Sequence, residues 1–260
     1  MSIVRVNGIR ISYATYGEGF PLIAISGKDS NMEWWHPAVK EALSANNRLI
    51  LLDNRGTGRS EVPPESYGIS DMAQDVVGLM DALGISQAHI LGQSMGGMIA
   101  QEIAIEYPER VAKLILASTT CGVTRVRPSL RMLKWMFRKP SVFSPRDTLN
   151  MLYSKTYMRE YADKIAEAAE RMGSFPPSAR TMAVHKEASR KFDSLARLGR
   201  IVSPTLIIHG HRDWVFRPPH AVLLARYIPD SKLLMYANAG HGVLSQEHRK
   251  VMEEIRRFIG

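Results

Sequence analysis

A mostly parallel β-sheet with helices on both faces, interrupted by one helical insertion, is the α/β fold class this sequence predicts. Three observations carry it. Short apolar runs alternate with helix-length stretches over residues 1–121, the alternation lapses over residues 122–200, and it resumes over residues 201–260. The chain has 260 residues, 45% apolar and 23% charged, which is enough to bury a core and excludes both wholesale disorder and a fibrous repeat.

The elements follow in order. Residues 3–6 and 9–15 flank Asn7-Gly8, a pair that tolerates positive φ and signals a two-residue hairpin, so the sheet is expected to open antiparallel. Residues 22–26, 49–52, 88–91 and 114–117 are short, largely apolar runs, as strands covered on both faces should be. Residues 36–45, 70–83 and 95–107 supply helices between them, the last stopping before Pro108. A strand at 205–209, a helix near 219–227, a strand near 232–236 and a helix near 244–258 complete the pattern. This divides the chain into a core, residues 1–121 and 201–260, and a helical cap, residues 122–200. In the cap, Tyr157, Tyr161, Ile165, Ala168, Ala169 and Met172 recur at helical spacing, and Pro140, Pro145, Pro176 and Pro177 punctuate it.

Composition narrows the partners. Cys121 is the only cysteine, so no internal disulfide framework exists. The first thirteen residues alternate like a strand and lack the charged, apolar, then small-residue order of an export signal, so a cytoplasmic protein is expected. No apolar run approaches the roughly 18 residues of a membrane span. The formal net charge is +9. Residues 122–200 hold 17 Lys/Arg against 7 Asp/Glu, whereas residues 1–121 hold 9 against 13. The excess therefore belongs to the cap. With no RNA-binding or zinc-finger signature beside it, it reads as a solvated face or as steering for an anionic substrate, and neither nucleic acid nor membrane is expected as a partner. Oligomeric state has no local signature.

The chemistry centres on Gly92-Gln93-Ser94-Met95-Gly96-Gly97. G-x-S-x-G is weak alone, but here it lies between an apolar strand and the start of a helix, the context of a nucleophile elbow. Such a turn strains the nucleophile, and glycines at 92 and 96 let the backbones approach. It also aims the first helical amides at a developing oxyanion, making the Met95 N–H a donor. A serine hydroxyl needs a base, and the base needs a carboxylate. Among eight histidines, His241 is singled out by the glycines on either side of it, in a loop between a strand and the last helix. His36, His89, His185, His220 and His248 read as surface or packing residues. Asp213 follows the strand at 205–209, at the end where binding loops gather, and is preferred to Asp193 and Asp230.

The chain resembles the α/β-hydrolase superfamily, in its subgroup of small carboxylesterases and lactonases with a helical cap after the sixth strand. The similar segments are the elbow, Asp53-Asn54-Arg55-Gly56-Thr57-Gly58-Arg59-Ser60, Tyr107-Pro108-Glu109-Arg110-Val111, His209-Gly210-His211-Arg212-Asp213 and Ala239-Gly240-His241-Gly242. Together they span nearly the whole chain. The resemblance implies a structural turn at 53–60 bordering the active site, and an oxyanion hole completed by the amide of Lys28. The family usually carries His-Gly before that residue, whereas this chain has Ser26-Gly27, so the local hydrogen bonding must differ.

The implied reaction is hydrolysis of a small-molecule carboxylic ester with Ser94, His241 and Asp213 as catalytic residues, an acyl-enzyme, and neither metal nor organic cofactor. Serine at position 94 separates the chain from the carboxylate-dependent haloalkane dehalogenases and epoxide hydrolases of this fold. It does not separate esterases from lactonases, acyl-coenzyme A thioesterases, carbon–carbon bond hydrolases or perhydrolases. Trp135, Met136 and Phe137 of the cap are candidates for an acyl pocket or for packing, and Trp34 and Trp35 pose the same choice. The Lys28 ammonium either meets an anionic substrate or faces solvent. Two readings of other kinds stand beside these: a non-enzymatic ligand receptor on the same fold, and a zinc site at the H-x-H-x-D of His209, His211 and Asp213, in which Trp214 stands where a further histidine is expected.

Overall fold

A computed structural model of the chain describes residues 1–136 and 144–260. Eight strands form one sheet: β1 (Ser2–Val6), β2 (Ile9–Tyr16), β3 (Phe20–Ile25), β4 (Asn47–Leu52), β5 (Ala88–Gln93), β6 (Val111–Ala117), β7 (Thr205–Gly210) and β8 (Ser231–Tyr236). Their order is β1-β2-β4-β3-β5-β6-β7-β8. β2 runs antiparallel to both β1 and β4, and every other pairing is parallel. The opening hairpin turns at Asn7 and Gly8, whose φ values of 49° and 79° are those the Asn-Gly pair was expected to supply.

Helices α1 (Pro37–Ser44), α2 (Ile69–Ala82) and α3 (Met95–Glu106) link the first strands, and α9 (Pro219–Tyr227), α10 (Val243–Gln246) and α11 (His248–Ile259) accompany the last. Side chains alternate across the sheet into two cores. Ile23, Ile50, Ile90, Leu114 and Ile207 pack on the face covered by α2, α3 and α9, whereas Leu22, Leu49, Leu91, Ile115 and Leu206 pack on the face of α1 and α11. Burial on both sides explains why these strands read as continuous apolar runs. The final helix expected near 244–258 is in fact two, α10 and α11, with Glu247 between them.

Between β6 and β7 lie α4 (Leu130–Met136), α5 (Pro145–Leu152), α6 (Lys155–Glu160), α7 (Ala162–Gly173) and α8 (Ala179–Lys191). The helical spacing through residues 157–172 falls on two short helices, α6 and α7, which break at Tyr161 (φ −118°, ψ 38°). Ser144, Ser154 and Ser178 cap α5, α6 and α8 by accepting from Asp147, Tyr157 and Thr181 amides, which satisfies donors that a helix start otherwise leaves unpaired. The start and end of this excursion are tied together, by a Gly122–Asp193 bridge and by the Ser194 N–H donating to the Cys121 carbonyl. Several of its basic residues form ion pairs: Arg125 with Asp193, Arg190 and Lys191 with Glu187, and Arg197 with Glu102 and Glu106 of α3. Among the described residues, no helix is long and apolar enough to cross a membrane.

Candidate active site

β4 lies on one side of β3 and β5 on the other, so the sheet's progression reverses between β3 and β5. Loops leaving the carboxyl ends of two such strands part to opposite faces and leave a crevice. Ser94 sits there, between β5 and α3, at φ 57° and ψ −119°. A left-handed serine costs roughly 1–3 kcal/mol and persists only where its surroundings enforce it. Here the Ser94 N–H donates to the Ala117 carbonyl (3.0 Å), and its own carbonyl accepts from the Gly97 N–H (3.0 Å) and Thr119 Oγ1 (2.6 Å). The glycines admit the approach. A Cβ at Gly92 would overlap the Gly96 carbonyl, one at Gly96 would overlap the Ile25 carbonyl, and one at Gly97 would lie 2.6 Å from Thr119 Cβ.

His241 and Asp213 converge on this serine from the loops after β8 and β7. His241 Nε2 is 2.9 Å from Ser94 Oγ, and His241 Nδ1 is 2.7 Å from Asp213 Oδ2. The other carboxylate oxygen of Asp213 accepts from the amides of Val215 (2.8 Å) and Phe216 (2.9 Å), so its rotamer is fixed from both ends. Phe216 also presents its ring edge-on to His241, with centroids 5.5 Å apart. Gly210 makes the two loops compatible, because a Cβ there would overlap the carbonyls of Ala239 and Gly240. Gly242 serves a similar end: a Cβ would overlap the Tyr153 ring, and its N–H donates to the Leu152 carbonyl (2.9 Å). The flanking glycines that singled out His241 thus reflect close contact with Leu152 and Tyr153 at the end of α5.

The two residues expected to supply oxyanion donors, Met95 and Lys28, both lie next in sequence to residues at the crevice, Ser94 and Gly27. Met95 is the first residue of α3, where backbone donors have no carbonyl within the helix. Gly27 brings the loop after β3 against Ser94, its missing Cβ position lying 3.3 Å from Ser94 Cβ and 3.7 Å from Oγ, and Lys28 follows directly. The Ser26 hydroxyl donates to the Ser30 carbonyl (3.4 Å), and Ser30 Oγ donates to the Lys28 carbonyl (3.2 Å). The Lys28 ammonium pairs with Asp29 Oδ2 at 2.6 Å.

The segment 53–60 builds the floor. Asp53 accepts from the amides of Met32 (2.8 Å) and Arg59 (2.9 Å), and Arg55 makes a buried two-pronged ion pair with Asp75, both bonds 2.6 Å. Of the aromatic candidates, Trp35 is core, packed with Met32, Val39 and Leu43, and Trp34 packs against Leu149, Leu152, Tyr153 and Met172. Trp135 and Met136 lie in α4, and Phe137 lies outside the described residues. The H-x-H-x-D side chains do not converge on one point. His209 Nε2 meets the Phe216 carbonyl (2.8 Å), Asp213 is engaged by His241, and His211 is exposed. Burial, opposed by the Asp213 charge, pushes the His209 pKa down. Burial, reinforced by His209, pushes that of His220 down to about 4, so the imidazole behind the acid loop stays neutral.

Sequence reasoning missed one group beside this site. His185 of α8, expected to be a surface or packing residue, is fully buried, and it is hydrogen-bonded to the loop that carries Lys28. A lone histidine in a helix gives no local signal of a partner 156 positions away.

The α/β hydrolase fold family model matches residues 18–247. A protein provisionally designated carbamate hydrolase RutD from Azorhizobium caulinodans is 31% identical over 226 residues, covering 85% of this chain and 84% of that protein. A 2-hydroxy-6-oxo-6-phenylhexa-2,4-dienoate hydrolase from Comamonas testosteroni is 31% identical over 247 residues, covering 89% and 84%. Among solved structures, a thermophilic esterase from Thermogutta terrifontis superposes with a TM-score of 0.82 at 28% identity, over 100% of this chain and 98% of that one. With its parallel sheet, its strained serine at the switch point and a family match over most of its length, the chain belongs to the α/β hydrolase fold family.

Proposed function

We propose that this chain is a serine hydrolase that cleaves a carboxylic ester through a covalent acyl-enzyme. The observation that carries the reading is the continuous relay Ser94 Oγ, His241 Nε2, His241 Nδ1, Asp213 Oδ2, with steps of 2.9 and 2.7 Å. His241 takes the Ser94 proton as the hydroxyl attacks the ester carbonyl. The Met95 and Lys28 amides receive the negative charge that develops on the carbonyl oxygen, where donors are worth most because they need no reorganisation. Collapse of the tetrahedral intermediate breaks the ester C–O bond, and His241 returns the proton to the leaving alcohol. Water activated by His241 then releases the acid and restores Ser94, while Asp213 holds the imidazole tautomer and stabilises its cation without accepting the proton.

The scissile bond is the finer question. The esterase-like relative supports an ester, whereas the relatives named for carbamate and carbon–carbon cleavage make those bonds the competing outcomes. A lactone or thioester would pass through the same steps. Because Lys28 is neutralised by Asp29, a neutral acyl ester is the first substrate to offer, with a matched anionic ester as the comparison for the basic residues of the 122–200 segment. Fluorophosphonate labelling with peptide mapping, followed by turnover on a panel of ester, lactone, thioester, carbamate and vinylogous diketone substrates, tests nucleophile and bond class together. Labelling at Ser94 with many rapid ester turnovers supports the proposal. Labelling elsewhere rejects the nucleophile, and a single slow turnover with retained ligand favours a receptor.

A further inference from the structure

The loop after β3 has a second unusual conformation. Asp29 sits at φ 60°, in the left-handed region that a non-glycine residue rarely occupies, directly after Lys28, whose amide is the second oxyanion donor in the reading above. Within the loop, Ser30 Oγ donates to the Lys28 carbonyl (3.2 Å) and the Ser30 N–H donates to the Gly27 carbonyl (3.3 Å). The Lys28–Asp29 peptide is also held from outside, through its N–H. The Asp29 N–H donates to His185 Nδ1 at 3.2 Å, in a contact buried from solvent.

His185 reaches two core loops at once. Its Nε2 lies 3.3 Å from the Arg55 carbonyl, in the segment whose Asn54 side chain donates to the Ser26 carbonyl (3.3 Å), and Tyr67 stands edge-on to the ring. With the ring proton on Nε2, Nε2–H donates to the Arg55 carbonyl while Nδ1 accepts the Asp29 amide; Asp29 Oδ1 also lies 3.2 Å from Nδ1, so the ring meets this residue at both its backbone and its carboxylate. We propose that His185 is a positioning residue for the oxyanion hole, holding the peptide after Lys28 so that the Lys28 N–H stays aimed at the carbonyl oxygen of the substrate. This rests on the serine-hydrolase reading above. It makes α8, which belongs to the inserted segment, part of the apparatus that sets turnover and not only a cover for it.

Loss of an oxyanion donor costs about 10²- to 10³-fold in turnover, and partial misplacement costs less. His185→Ala should therefore lower kcat by about 10- to 100-fold with KM changed less than threefold, because the amide is strengthened only in the transition state. Affinity for a trifluoromethyl ketone, which forms the tetrahedral adduct, should fall in parallel with kcat/KM. A folding defect alone would lower the active fraction, as titrated by the fluorophosphonate, and would leave kcat per active site unchanged.

Two further variants separate the contacts. In His185→Asn the shorter amide can accept the Asp29 N–H where Nδ1 did, whereas His185→Gln reaches toward the Arg55 carbonyl and leaves the Asp29 amide unmet. Recovery of most of kcat in the Asn variant and not in the Gln variant is the expected result. Equal kcat per active site in the Ala, Asn and Gln variants and the parent would overturn the proposal, as would a loss confined to KM. Wild-type and Ser94→Ala proteins run alongside keep the two ideas apart. If the parent neither labels at Ser94 nor turns over esters, the hydrolase reading fails; if it does both and the His185 series is flat, only this inference fails.

Discussion

The two amides proposed to share one oxyanion are secured in opposite ways. At the elbow, Met95 is placed by its own neighbourhood: glycines at 92, 96 and 97 let β5, α3 and β6 close on each other, and the strain at Ser94 is held by three backbone-directed hydrogen bonds. Across the crevice, Lys28 is placed by a loop that bonds to itself through Ser26 and Ser30 and is completed by His185 from a helix far along the chain. The first arrangement is local and written in residue size. The second is assembled by folding, so it is the one through which the inserted helices can influence the chemistry.

Substitutions sharpen this contrast in a graded series. Ser94→Ala should lower kcat/KM by about 10⁴- to 10⁶-fold without loss of the fold, since it removes the nucleophile and leaves both amides in place; ester turnover with active-site titration checks it. Asp213→Asn should cost about 10⁴-fold, because an amide no longer fixes the His241 tautomer, and stopped-flow ester hydrolysis across pH will show the loss in kcat. Gly96→Ala strikes the joint between the two regions, since its Cβ would meet the carbonyls of Ile25 and Ser26. A loss of about 1–3 kcal/mol in unfolding free energy is expected from overpacking. Slower fluorophosphonate labelling should accompany it, whereas a stable, fully reactive variant would show that the joint is looser than the contacts require.

The smallest effect is a pH dependence of stability away from the relay. Burial pushes His89 and His220 down to about 4 from an ordinary 6.5, with Lys113 adding to the effect at His89 and His209 at His220. Both are thus neutral in the native protein, while the unfolded chain takes up the proton at higher pH. Their contribution to stability is fully present above about pH 6.5 and declines as the pH falls toward about 4. Denaturant midpoints measured between pH 7 and pH 4.5 should fall, and His220→Gln should flatten part of that slope. A midpoint independent of pH would contradict the burial argument.

Legibility in the sequence followed the range of the interaction. Strand and helix placement came from apolar runs and caps that act over a few residues, and the Asn7-Gly8 turn, the elbow glycines and the glycines beside His241 each marked a close approach. The pairing of Lys28 with Asp29 was not anticipated, because Asp29 takes a left-handed backbone that no local pattern announces. The doubled helix after His241 was missed because helical spacing continues across Glu247. His185 was read as packing because its two hydrogen-bonding partners lie in loops 130 and 156 positions away.

By itself, then, the amino-acid order determined the alternating layers, the bend at Ser94 and the choice of His241 and Asp213 as the side chains that meet it, because each depends on residue size, backbone freedom or placement at a strand end. Tertiary structure alone decided how the loop after β3 is held, which charge Lys28 meets and which helix braces the site. Those outcomes depend on groups distant in the chain being brought within about 3 Å, and hydrogen bonds act only at that range.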